Sequence, residues 1–125
     1  MSRRTLQKEV VKDIIESAQG PLTAIEVHAL AQAQLPNIGI ATVYRNLKSF
    51  TDSGLMCLVE LPGQPLRYES SNLKFHHHFV CQTCERVFDI EGCVPGIESL
   101  APEGFQVMRH DVTLYGVCPE CTAQD

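Results

Sequence analysis

Two Cys-x-x-Cys pairs, Cys81-Gln82-Thr83-Cys84 and Cys118-Pro119-Glu120-Cys121, constrain this chain more than any other feature. They stand 33 residues apart. Four thiolates paired in this way can close a tetrahedral zinc site with sulfur at ~2.3 Å and no open position, which is structural rather than catalytic chemistry. A single pair would also suit a thioredoxin-like redox motif, whereas two that bracket a small unit favour the metal. The segment between them is long for a zinc ribbon and must fold on its own account. Its pattern predicts a strand near Val87 to Ile90, a short helix near Pro95 to Leu100, and strands over Gly104 to Arg109 and Val112 to Gly116.

Metal ligation requires reduced thiols, and the rest of the sequence is consistent with that. No apolar run approaches the ~20 residues a membrane span needs, and Met1-Ser2-Arg3-Arg4-Thr5 lacks the apolar stretch of a secretion signal. A cytoplasmic location is expected, where paired cysteines serve metals or redox work rather than a disulfide framework.

Just before the first pair stands His76-His77-His78. Alternate side chains of a strand share a face, so His76 and His78 project together and His77 projects oppositely, which allows up to two sites. Imidazoles at strand spacing beside acidic and sulfur residues suit a transition metal. His28 and Cys93 read as packing or surface residues and are set aside as ligands.

The N-terminal half has a different pattern. Residues 5–18 carry Leu6, Val10, Ile14 and Ile15 on one helical stripe, with Thr5 as the expected N-cap. After Gly20-Pro21, Thr23 and Glu26 have the spacing of a capping box, opening a second helix that runs to about Gln34. A third helix over 40–53 sets Ile40, Val43, Leu47 and Phe50 inward and stops at Ser53-Gly54. Leu55 to Leu61 and Leu66 to Glu69, joined by a Pro62-Gly63 turn, read as a hairpin. Three helices followed by a hairpin make a winged helix.

A formal net charge of −5 argues at first against nucleic acid. Its distribution does not: residues 1–50 hold six basic and four acidic residues, while 51–125 hold four basic and eleven acidic. In a winged helix the third helix enters the major groove, where Arg45 and Lys48 reach phosphates or guanine edges and Tyr44 packs on a thymine methyl. Lys8 and Thr42 complete the candidate DNA contacts.

Taken together, Ile40-Ala41-Thr42-Val43-Tyr44-Arg45, the histidine triplet three residues before Cys81, and Tyr115-Gly116-Val117-Cys118-Pro119-Glu120-Cys121 resemble the ferric uptake regulator family in order and spacing, over nearly the whole chain. The resemblance implies an α+β chain with a winged-helix DNA-binding domain over residues 1–70, wing and hinge included. Residues 71–125 then form a small α/β dimerisation domain holding the four-cysteine zinc site. It implies a homodimer that binds palindromic double-stranded operator DNA when a sensory metal is loaded, with no enzymatic activity, no membrane and no small organic substrate.

The resemblance also implies the sensory ligands His76, His78 and Glu69. Iron- and peroxide-sensing members usually add a histidine just before the second helix, where this chain has Pro21. Zinc-sensing members take a ligand from the start of the wing, where this chain has Cys57, and a thiolate favours zinc over ferrous iron. The expected sensory set is therefore Cys57, Glu69, His76 and His78 binding Zn2+. The alternative set, Glu69, His76, His78 and Asp89, would bind Fe2+ and respond to iron or peroxide. A possible second site draws on His77, Asp89 and His110, although Phe75 and Gly96 stand where a histidine and a glutamate are usual. Two remoter alternatives are a zinc enzyme with an open coordination position, which lacks a nucleophile or general-base motif, and a DNA-binding module indifferent to metal.

Overall fold

The computed structural model describes residues 2–73 and 76–123, with His76 placed by its backbone alone. The chain divides into two compact units, Met1–Leu73 and Lys74–Asp125. The sequence reading draws that division at 70/71.

The first unit runs α1 (Arg3–Ser17), β1 (Leu22–Thr23), α2 (Ala24–Gln32), α3 (Ile40–Asp52), β2 (Met56–Val59) and β3 (Arg67–Ser70). The first helix starts earlier than the apolar stripe suggests. The Ser2 hydroxyl accepts the Thr5 amide at 3.1 Å, so Ser2, not Thr5, is the cap. The capping box at α2 forms as its spacing requires: the Glu26 amide donates to Thr23 Oγ1 at 3.1 Å and the Thr23 amide donates to Glu26 Oε1 at 2.8 Å. Two otherwise orphaned amides are thereby satisfied at once. At the end of α3, Gly54 adopts φ +82, a left-handed conformation that turns the chain into β2 at no Cβ cost.

The helices close one core. Val10, Val11, Ile14 and Ile15 of α1, Val27 and Ala31 of α2, and Val43, Leu47 and Phe50 of α3 pack together with Met56 and Tyr68 of the sheet. That sheet is antiparallel in the order β1-β3-β2. The sequence gives no sign of β1, whose two residues gain strand geometry only by pairing Leu22 with Tyr68 and Thr23 with Arg67. Arg67 is almost fully buried and donates through Nη1 to Glu26 Oε1 at 2.8 Å and to the Pro21 carbonyl at 3.1 Å. One carboxylate oxygen thus serves both the α2 cap and the wing strand.

The second unit is built on β4 (His76–Cys81), flanked by β5 (Val87–Glu91) antiparallel and β6 (Thr113–Gly116) parallel to it. A short 3-10 helix (Ile97–Leu100) and α4 (Pro119–Thr122) complete it. The expected strand over Gly104 to Arg109 does not form: residues 105–109 pair with no strand among the described residues, and Phe105 and Met108 are 71% and 85% exposed. An alternating pattern makes a strand only where it lies along a hydrogen-bonding edge, and residues 105–109 lie along none among the described residues. Gly116 closes β6 against β4, since a Cβ there would stand 3.0 Å from the Phe79 ring.

Candidate metal centres

The second unit brings its four expected cysteines together. Cys81 is the last residue of β4, Cys84 lies in the turn after it, and Cys118 and Cys121 flank the start of α4 and lie within it. One sulfur from each lies within 4.8 Å of all the others, and Cys81, Cys118 and Cys121 are buried. Sulfurs ~2.3 Å from a central ion in a tetrahedron are separated by about 3.8 Å. The Cys84 and Cys118 sulfurs stand 3.8 Å apart.

Backbone donors prepare this cage for negative charge. The amides of Cys84 and Cys118 each donate to Cys81 Sγ at 3.4 Å. These bonds, led by that from Cys84, bring the Cys81 thiol down to about 6. Arg86 adds a cation: Nε donates to Cys84 Sγ at 3.3 Å, Nη2 reaches Cys118 Sγ at 3.7 Å, and the same Nη2 donates to Glu120 Oε2 at 2.8 Å. The arginine bond lowers the Cys84 thiol as well. Cys121 goes the other way, pushed up to about 12 chiefly by burial, with its sulfur neighbours adding to the effect. The donor chemistry and spacing fit a divalent cation that accepts four thiolates, as zinc does. Nothing in the sequence marked Arg86 as part of this centre.

The turn that carries the first pair is held tightly. The Cys81 amide donates to the Arg86 carbonyl at 3.0 Å, the Glu85 amide donates to the Cys81 carbonyl at 2.9 Å, and Glu85 takes φ +66. The Gln82 amide donates to the Gly116 carbonyl at 2.7 Å, tying the first pair to the strand that leads into the second.

The proposed sensory residues fall in both units. In the first, Cys57 and Glu69 are direct cross-strand partners of β2 and β3. Cys57 is exposed, Glu69 is buried, and the Cys57 thiol is raised by partial burial and then by the Glu69 charge, against a lowering bond from Ser71. In the second, His78 pairs across β4 and β5 with Asp89, and His78 Nε2 lies 3.6 Å from Asp89 Oδ1. His76 pairs in register with Glu91, and its side chain and Phe75 lie outside the described residues.

The expected second site is corrected by this register. Asp89 shares the His78 face, so it does not join His77. His77 and His110 do meet, their ring centroids 5.4 Å apart, and the third donor beside them is Cys93, set aside in the sequence reading: its sulfur lies 2.8 Å from His110 Nε2. A lone cysteine in a loop carries no spacing signal that could have found it. His28 Nε2 lies 2.9 Å from the Ile38 carbonyl.

On α3, Tyr44, Arg45 and Lys48 are exposed while Val43, Leu47 and Phe50 face the core. Arg45 Nη2 donates to Thr42 Oγ1 at 2.9 Å, Lys48 pairs with Asp52 at 3.1 Å, and Lys8 of α1 donates to Ser49 at 3.3 Å. The candidate contacts from two helices thus border one exposed face of the first unit.

Comparison with known proteins gives one consistent result. The model of the ferric uptake regulator family matches residues 2–115. The chain is 30% identical to the peroxide operon regulator of Bacillus subtilis (strain 168), over 98% of this chain and 86% of that one. Among solved structures, a zinc-bound manganese uptake regulator superposes with a TM-score of 0.78 at 27% identity, covering 94% of this chain and 89% of that one. FurB of M. tuberculosis, a zinc uptake regulator, gives 0.53 at 28% identity, with 95% of each chain covered.

Proposed function

Because the chain belongs to the ferric uptake regulator family, and is accordingly a metal-responsive, DNA-binding transcriptional repressor rather than an enzyme, we propose that the metal it senses is zinc. The observation that carries this reading is Cys57 facing Glu69 across the wing hairpin. A thiolate and a carboxylate so placed, together with His76 and His78, make a mixed soft and hard donor set that prefers zinc to ferrous iron. Bound there, the ion supplies charge neutralisation and cross-linking. The chain's own residues do the rest: Glu69 and Cys57 present donors from the wing, and His78 presents one from β4.

Zinc so bound favours one arrangement of the two units over others, and only that difference in affinity shifts the population toward DNA binding. The protein acts as a homodimer in the cytoplasm. The exposed apolar side chains Leu100, Phe105 and Met108 offer a second copy an apolar surface on the second unit. Two winged helices then read a palindromic operator, with Tyr44 and Arg45 toward the bases and Lys8, Thr42 and Lys48 toward the backbone. The four-cysteine centre holds a permanent zinc.

A second reading rests on one observation. Asp89 stands beside His78, so Glu69, His76, His78 and Asp89 supply the harder set suited to ferrous iron, as a peroxide or iron sensor would use.

One experiment separates these. Operator duplex selected from a random pool with zinc-loaded protein is titrated against buffered free Zn2+ and, anaerobically, Fe2+. The expected result is a zinc-dependent gain in affinity that disappears in the C57A/H78A double variant while the four-cysteine zinc is retained. Zinc dependence unchanged by both substitutions defeats the assignment. An iron response lost with Asp89→Ala but retained with Cys57→Ala transfers it to the second reading.

A further inference from the structure

Among the described residues, Arg67 is the only lysine or arginine that is buried, at 2% exposed. Its Nη1 donates to Glu26 Oε1 at 2.8 Å and to the Pro21 carbonyl at 3.1 Å, and Nη2 lies 3.5 Å from Gln64 Oε1 near the wing turn. Thr23, the N-cap of α2, is its cross-strand partner. Two residues further along the same face of β3 stands Glu69, opposite Cys57. We propose that Arg67 is a positioning residue for metal sensing: by fixing β3 to the start of α2, it holds the Glu69 carboxylate in place for the ion. The proposal rests on Glu69 being a sensory ligand, as argued above.

Stability alone does not call for a charge at this position. A buried ion pair can often be replaced by apolar side chains of similar volume without loss of stability, because desolvation offsets most of the Coulombic gain. The surroundings also oppose a cation, since the N-terminal end of a helix carries partial positive charge. Arg67 is accommodated there because Glu26, in the first turn of α2, supplies the opposing carboxylate. What the pair gives is register. A guanidinium carries a planar, rigid set of donors, so its bonds to two separate acceptors fix both the height and the rotation of β3 against α2. An apolar side chain would fill the space and fix neither.

The path from Glu26 to Glu69 is short. Glu26 Oε1 accepts from the Thr23 amide and from Arg67, each at 2.8 Å, so the capping box and the wing strand meet at one atom. From Arg67 to Glu69 is two residues, roughly 6.8 Å of extended strand. Between them, Tyr68 packs into the core that holds Val27 of α2 and Val43 and Leu47 of α3. This link consists of protein groups alone and needs no metal to form. Glu69 therefore meets its ion already placed, and less of the binding free energy goes into ordering it.

The test uses the full chain with its four-cysteine centre filled by zinc. Zn2+ affinity of the sensory site is measured without DNA, by competition with a chelator, and hydrogen exchange of the Glu69 amide is followed without sensory metal. Arg67→Met keeps the bulk and removes the charge, while the Glu26 side chain, 29% exposed, retains access to water. It is expected to weaken zinc binding by about 2–30-fold, the range for residues that modulate a site without touching its ligand. Exchange at Glu69 should quicken, and the denaturant midpoint of the first unit should change little. Arg67→Lys should recover part of the affinity. Glu26→Gln, which keeps an acceptor for the Thr23 amide, should shift affinity in the same direction by less, and it stands in if Arg67→Met fails to fold. Glu69→Gln sets the reference. Zinc affinity untouched by Glu69→Gln removes the ligand itself, and the proposal falls with the earlier reading. Affinity lost in Glu69→Gln but unmoved by Arg67→Met and Glu26→Gln overturns this proposal alone. A drop in first-unit stability with no shift in zinc affinity overturns it as well, because Arg67 would then serve only the fold.

Discussion

The four-cysteine cluster and the Cys57–Glu69 pair, proposed above as part of a sensory site, are built oppositely. The first gathers all its donors within one unit, buries three of its four cysteines, and surrounds the sulfurs with two backbone amides and a guanidinium. The second leaves Cys57 exposed on a short wing strand beside the Glu69 carboxylate, with its thiol raised rather than lowered. A permanent centre can be pre-arranged because it never needs to release its ion. A sensing centre must stay incomplete until the ion arrives, since a site fully formed without metal would report nothing.

Breaking the closed centre should have the largest effect. Structural zinc in small domains contributes apparent free energies of about 10–16 kcal/mol at neutral pH, and among the described residues the only apolar side chains the second unit buries beside its cysteines are Val80 and Val87, with Phe88 partly buried against the cysteines. Cys118→Ser is expected to release zinc and unfold the second unit. Amide resonances of β4 and β5 would collapse while those of α1 to α3, whose core is self-contained, persist. A second unit that stays folded without zinc would erase the contrast between the two centres.

A smaller effect tests whether the guanidinium matters. Arg86→Ala removes the bonds to Cys84 and Cys118 but leaves all four sulfurs. Zinc affinity measured by competition with a chelator should fall about 10–100-fold, the usual range for an outer partner of a ligand. Unchanged affinity would mean that the backbone amides alone prepare the cage.

The smallest effect concerns protons at the open centre. Because the Cys57 thiol is raised above its ordinary value, it is protonated at neutral pH, and metal binding must expel that proton. Zinc affinity at the sensory site should therefore rise by about tenfold per pH unit above neutrality, one proton being displaced per ion bound. The rise should continue until pH reaches the raised value. In Cys57→Ser that slope should flatten over the same range, as read by zinc titrations between pH 7 and 9 with the four-cysteine centre full. A slope that survives the substitution would place the displaced proton elsewhere.

Local patterns were legible in the sequence because their causes are local. The Thr23–Glu26 capping box needs only a three-residue spacing, the α3 stripe only a helical period, and each Cys-x-x-Cys pair only one turn of chain. The ferric uptake regulator resemblance rested on several such patterns in order, and the family match covers residues 2–115. What failed or stayed hidden depended on residues far apart in the chain. Gly104 to Arg109 alternates like a strand but finds no edge among the described residues, and β1 exists only because β3 lies beside it. The register of β4 on β5 put Asp89 with His78 instead of His77, and the path of the loop after β5 carried Cys93 to His110, 17 positions away. Sequence alone determined which residue types could bind a metal and roughly which elements carry them. Tertiary structure decided which of them share a face, because side-chain convergence across a sheet is set by strand pairing and loop closure, and neither leaves a periodic trace in the chain.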